Sequence, residues 1–171
     1  MWSKKRIYSR SKAMKIYLDI DGVILKKDLT MPDYGNEFIS FLVANYHCYW
    51  LTTHCRGGYN NAINHLSKCY PTSTLELLKM VKQTNWTDLK TEAIDLNSHF
   101  IWLDDYPFES EKIVLKRVNK INSLITVDLN RVDELKSVQR RIEIIAAKLD
   151  WILSQIVPGA DEKINWKGFI N

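Results

Sequence analysis

The stretch "KIYLDIDGVIL", Lys15–Leu25, decides how this chain is read. Residues 15 to 20 form a hydrophobic β pattern, yet the segment carries Asp19 and Asp21 two residues apart, with Gly22 directly after. Carboxylates are costly inside a core but useful where a strand emerges from one. In a parallel α/β sheet, loops and helix N-termini converge beyond the carboxyl ends of the strands, and ligands bind there. The segment is therefore predicted to be a central strand that delivers two acids to a crevice.

Working outward, the loop 22–33 holds Gly22 and Pro32 and has the length of a short flap. Phe38, Ile39, Leu42 and Val43 give an apolar face at helical spacing, predicting a helix over about 34–45. "CYWLT" (48–52) is a second strand, stopped by "THCRGG", and a helix is expected over roughly 59–69. Short helices are expected around "STLELLKMVKQT" (73–84) and "TDLKTEAIDL" (87–96). "HFIWL" (99–103) is a third strand ending at Asp104 and Asp105, followed by a helix near 109–117 and a fourth strand, "NSLITV". Strands alternating with helices predict an α/β fold: a Rossmann-like three-layer sandwich around a central, mainly parallel sheet.

The longest predicted element is a C-terminal helix over about 131–156. Leu135, Val138, Ile142, Ile145, Leu149, Ile152 and Ile156 step by three and four residues, with Ile144, Ala147 and Trp151 widening the face in its second half. Such a seam covers the domain's own sheet or joins two copies into a homodimer; the first is the commoner use. The expected organisation is a basic arm (1–13), one domain (14–157) and a tail (158–171) after Pro158 and Gly159.

Composition narrows the classes. With 171 residues and 46% hydrophobic content the chain suits one globular domain. Apolar runs are broken by charge well short of the roughly 20 residues that cross a bilayer. The basic start has no apolar core and does not read as a secretory signal, so a cytoplasmic protein is the expectation. Cys48, Cys55 and Cys69 form no CxxC pair and read as reduced thiols. The repeated His-Cys of 47–48 and 54–55 invites a zinc assignment, but an extended strand between them would hold the pairs roughly 23 Å apart. Net charge is +4, and Lys4, Lys5, Arg6, Arg10, Lys12 and Lys15 supply much of it. That arm is either a solvated tail or a hold on phosphate polymers.

Polar groups suited to phosphate stand at three strand ends: Asp19 and Asp21, then Thr52 and Thr53, then Asp104 and Asp105, with Lys90 between the last two. Each is weak evidence alone. Together they place acids from two strand ends in one crevice, which demands a neutralising charge; Mg²⁺ with oxygen ligands is the natural one.

The order strand-DxDG, strand-Thr, Lys, strand-DD resembles the haloacid dehalogenase-like hydrolase superfamily over roughly residues 14–127. "LDIDGVI", "WLTTHCRG" and "WLDD" carry the resemblance, and Lys90 in "DLKTEAI" is the expected lysine, with Lys79 and Lys82 as alternatives. The resemblance implies an uncapped phosphatase working through an aspartyl-phosphate. Asp19 would be the nucleophile and Asp21 the acid and base, offering a metal only its backbone carbonyl. Thr52 would bind a phosphoryl oxygen, and Lys90 would offset the charge of nucleophile and phosphate. Mg²⁺ would be held by Asp19, Asp21 and Asp105, with Asp104 orienting that ligand or its waters.

For the substrate, Lys26 and Lys27 in the loop, Arg56 after the second motif, and Thr53 are the expected binding groups. Tyr106 and Phe108 in "DDYPFE" are suited to stacking on a base. A phosphorylated substrate is expected, with a nucleotide or nucleic-acid end favoured and no membrane partner. A non-catalytic assembly module using the C-terminal helix is the alternative from another class.

Overall fold

The computed structural model describes residues 14–55 and 59–156, and the side chains of 14–54 and 61–155. The basic arm, Arg56 and the tail lie outside the described residues. Four strands form one sheet in the order β2-β1-β3-β4: β1 (Met14–Leu18), β2 (His47–Trp50), β3 (His99–Asp104) and β4 (Leu124–Thr126). Every pairing is parallel.

The helices are α1 (Gly35–Asn45), α2 (Tyr59–Leu66), α3 (Thr72–Leu78), α4 (Glu109–Arg117) and α5 (Glu134–Ile156). Two apolar clusters follow the alternation of the strands. Ile16, Leu18, Trp50, Ile101 and Leu103 on one sheet face meet Phe38, Ile39 and Leu42 of α1 and Leu135, Val138 and Ile142 of α5. Tyr17, Phe100 and Trp102 on the other meet Leu115 of α4 and the loop residues Trp86 and Ile94. The sheet is thus covered on both sides, as a near-continuous apolar strand such as β1 requires.

Local signals explain several boundaries. Pro71 precedes α3, where its missing N–H costs nothing, and α4 carries Glu109 and Glu111 in its first turn and Lys116 and Arg117 in its last, matching the helix dipole. The predicted start of the last helix at 131 moves to Glu134, because Asp133 sits at φ 54°, outside the helical region.

Three other expectations are corrected. The loop after β1 is not a free flap throughout: Val23, Ile24 and Leu25 are fully buried, and the chain folds back through backbone hydrogen bonds from Ile24 and Leu25 to the Ile20 carbonyl. The expected helix 73–84 stops at Leu78, and Lys82 pairs in parallel beside β2, its N–H donating to the Cys48 carbonyl at 2.9 Å. Around 87–96 there is only a 3-10 turn, Lys90–Ala93, since Glu92 turns its carboxylate back to accept from the N–H groups of Thr87 and Leu89.

The helical seam of α5 lies mainly on its own domain. Leu135, Val138 and Ile142 are buried, and Ile145, Ala146 and Leu149 pack against the core, each full burial worth about 1.5–3 kcal/mol. Ile144, Trp151 and Ile152 are exposed. No described helix is long and apolar enough to cross a membrane. Cys48 and Cys69 are free thiols, and burial pushes the Cys48 thiol up to about 12.

Candidate active site at the carboxyl end of the sheet

Strand order places the site. The chain steps from β1 to β2 on one side and then crosses to β3 on the other, so the direction reverses between β1 and β3. Leu18 is level with Leu103, which sets Asp19 beside Asp104 one residue further on, and the Asp19 N–H donates to the Leu103 carbonyl at 3.1 Å. Two carboxylates from separate strands therefore stand next to each other in the crevice.

Lys90 bridges them. Its Nζ donates to Asp104 Oδ2 at 2.6 Å and also to Asp19 Oδ2. The other oxygens are also satisfied: Asp19 Oδ1 accepts from the Ile20 N–H at 2.7 Å, and Asp104 Oδ1 from the Tyr106 N–H at 2.9 Å. Trp102 Nε1 adds a third donor to Asp104, which is 1% exposed.

Glu111, not anticipated from the sequence, fixes the lysine turn. This buried carboxylate accepts from the Lys90 N–H and the Phe108 N–H, both at 2.8 Å, tying the 3-10 turn to the start of α4. Of the three lysines considered, Lys90 pairs with these acids, whereas Lys79 pairs with Glu76 and Lys82 lies over the Tyr49 ring.

The charges are out of balance. Burial, reinforced by Asp104 and opposed by Lys90, raises Asp19 from 3.8 to about 6. Burial pulls the Lys90 ammonium down, but Asp19 and Asp104 together outweigh it and hold it above its ordinary value. Asp105 is raised as well, by burial and then by Asp104. One ammonium thus faces more carboxylate than it can neutralise, and the deficit is met by a proton or a cation.

Oxygens of Asp19, Asp104 and Asp105 lie within 4.8 Å of one another, a hard, all-oxygen donor set able to hold a metal cation. Gly22 makes the approach of Asp105 feasible: at φ +71°, a Cβ there would fall 2.2 Å from the Asp105 carboxyl carbon. Here glycine is required both by the backbone and by the contact.

Asp21 goes elsewhere. Its carboxylate faces His54, which the sequence offered only within the His-Cys repeat, and His65, which the sequence did not single out, with His54 Nε2 at 2.7 Å from Oδ2 and His65 Nε2 at 3.6 Å from Oδ1. The spacings of 33 and 44 residues from Asp21 carry no periodic signal. Thr52 is buried just beyond the end of β2, one step past the level of Asp19, and its Oγ1 accepts from the His54 N–H at 3.4 Å. Thr53 is exposed, in the turn Thr53–Cys55.

Lys26, Lys27, Gly22, Asp105, Tyr106 and Arg131 line an open cleft of about 530 Å³ on the Asp105 side. Tyr106 is 79% exposed there; Phe108 is exposed at the head of α4. Neither aromatic belongs to the buried core clusters.

No protein-family profile matches the chain, and neither a curated protein nor a solved structure shows significant similarity to it.

Proposed function

We propose that this chain is a Mg²⁺-dependent phosphatase of the haloacid dehalogenase-like type, hydrolysing a phosphate monoester through an aspartyl-phosphate. The observation that carries the reading is the level pair Asp19 and Asp104 bridged by Lys90 at a strand-order reversal. Asp19 attacks phosphorus in line, forming the acyl phosphate as the leaving oxygen departs. Asp21 gives that oxygen a proton and then takes one from the water that hydrolyses the intermediate. Lys90 and the Thr52 hydroxyl offset charge on the phosphoryl oxygens. Asp19, Asp104 and Asp105 would hold Mg²⁺, which would supply the remaining positive charge.

The substrate reading is a nucleotide or polynucleotide end. It is supported by the cleft beside Asp105, where Lys26, Lys27 and Arg131 offer cations to further phosphates and Tyr106 offers a ring face. The test is Mg²⁺-dependent release of phosphate from p-nitrophenyl phosphate and from 5′- and 3′-phosphorylated oligonucleotides. Asp19→Asn is expected to lower turnover at least about 10³-fold with the fold intact. Retained turnover in the purified variant overturns the mechanism; preference for a small sugar phosphate overturns the substrate but not the chemistry.

A second reading, a non-catalytic assembly module, is favoured by the exposed Ile144, Trp151 and Ile152 on α5, which also suit a homodimer. A well-folded protein with no turnover across phosphate esters, whose mass by ultracentrifugation falls to that of a monomer in Trp151→Ser, supports it instead.

A further inference from the structure

Asp21, His54 and His65 converge from three elements: the loop after β1, the turn after β2 and the last turn of α2. The two imidazoles stack, with centroids 4.1 Å apart and planes at 17°, and both present Nε2 to the same carboxylate. A simple hydrogen bond accounts for His54. It does not account for His65, whose Nε2 is buried and makes no hydrogen bond among the described residues, lying 3.6 Å from Asp21 Oδ1.

The contact between His54 and Asp21 leaves the buried Nε2 of His65 without a hydrogen bond among the described residues, a polar atom that asks for a partner. A divalent ion accepts a lone pair from each ring and one from the carboxylate once one imidazole turns out of the stack, since lone pairs lying in near-parallel ring planes do not meet at one point. Donors on a tetrahedral ion at about 2.0–2.2 Å stand about 3.4 Å apart. The separations of 2.7 and 3.6 Å straddle that value, and all three donor atoms lie within 4.8 Å of one another. The Asp21 side chain is 58% exposed, leaving access for the ion and room for a water as a further ligand.

We propose that Asp21, His54 and His65 form a binding site for a zinc-class divalent cation, distinct from the all-oxygen cluster of Asp19, Asp104 and Asp105. Two imidazoles and one carboxylate suit Zn²⁺, whereas the aspartate cluster suits Mg²⁺. A consequence rests on the phosphatase reading: a carboxylate bound to zinc cannot carry the proton for the leaving group, so Zn²⁺ inhibits turnover. The site itself stands without that reading.

The experiment uses the untagged full chain in saturating Mg²⁺ with no substrate, so its outcome is independent of hydrolysis. Co²⁺ serves as a spectroscopic stand-in and Zn²⁺ is titrated calorimetrically. One equivalent of Co²⁺ is expected to give the intense visible absorption of a four- or five-coordinate ion, abolished by Zn²⁺. His54→Ala and His65→Ala are each expected to weaken Zn²⁺ binding at least about tenfold, with His65→Gln as the better-packed control and Asp105→Asn leaving the affinity unchanged. Zn²⁺ affinity unaltered by the histidine substitutions, or no stoichiometric binding, overturns the site. Binding that depends on both histidines in a protein without phosphatase activity supports the site and removes only the inhibition.

Discussion

Asp19 and Asp21 are two residues apart, yet they occupy opposite electrostatic worlds. The Asp19 side chain is 12% exposed, clamped by Lys90 and level with a second acid; the Asp21 side chain is 58% exposed and faces two imidazoles. The difference arises where the strand ends. Asp19 is still held in register by β3, whereas Asp21 has entered the turn that Gly22 completes. One segment thus supplies a buried carboxylate bridged to a second acid by Lys90, and an open one beside two imidazoles.

Under the proposed phosphatase mechanism, the comparison is broken most directly by replacing the Asp21 carboxyl. Asp21→Asn is expected to lower turnover by about 10²–10⁴-fold, equivalent to about 3–5 kcal/mol, with the loss smaller for esters whose leaving group needs no proton. Steady-state rates on p-nitrophenyl phosphate and on an alkyl phosphate separate the two. Equal losses on both would mean that Asp21 acts through structure.

Lys90→Met attacks the buried side. It leaves Asp19 and Asp104 facing each other without an ammonium, and is expected to cost about 3 kcal/mol by denaturant unfolding in EDTA. Added Mg²⁺ should recover part of the loss. No recovery would argue that the aspartates do not hold the ion.

The pH dependence of Asp19 sharpens the contrast. With its carboxyl raised from 3.8 to about 6, the folded protein binds this proton more tightly than the unfolded chain does. The stabilisation due to the protonated form is present below the unfolded value and is lost as pH rises through about 6. In metal-free protein, Asp19→Asn stays neutral and should be more stable than wild type above that pH by up to about 3 kcal/mol, the advantage vanishing on acidification. Unfolding free energies measured across this range check it. The opposite sign would mean that attraction to Lys90 outweighs burial.

Gly22→Ala is expected to have the smallest effect, about 1–2 kcal/mol. Its Cβ would press on the Asp105 carboxylate, so the change should appear as weaker Mg²⁺ binding at nearly unaltered Zn²⁺ affinity. Isothermal titration of both ions reads the two sides of the comparison in one variant.

Much of this arrangement was legible in the chain. The four strands, the long helix and the acids Asp19, Asp104 and Asp105 follow from apolar runs ending in carboxylates, signals local to each segment. Lys90 was legible as a candidate but not as a choice over Lys79 and Lys82, because the choice depends on Glu111 holding its turn against α4. The helix expected over 87–96 failed where Glu92 bonds back to the backbone, a side-chain competition that periodicity does not register. The buried Val23–Leu25 turn was missed, although its apolar run is visible, because Gly22 reads as the end of the strand and nothing local shows that the chain folds back onto the Ile20 carbonyl.

The sequence by itself determined the alternation of strand and helix and set carboxylates at the strand ends, since apolar period, glycine and charge act over a few residues. Only the tertiary structure decided which acids meet. Parallel register brought Asp19 level with Asp104, and the packing of α2 against the turn after β2 carried His65 to His54 and Asp21. Contacts across tens of residues are fixed by strand order and helix packing, which no local pattern in the chain encodes.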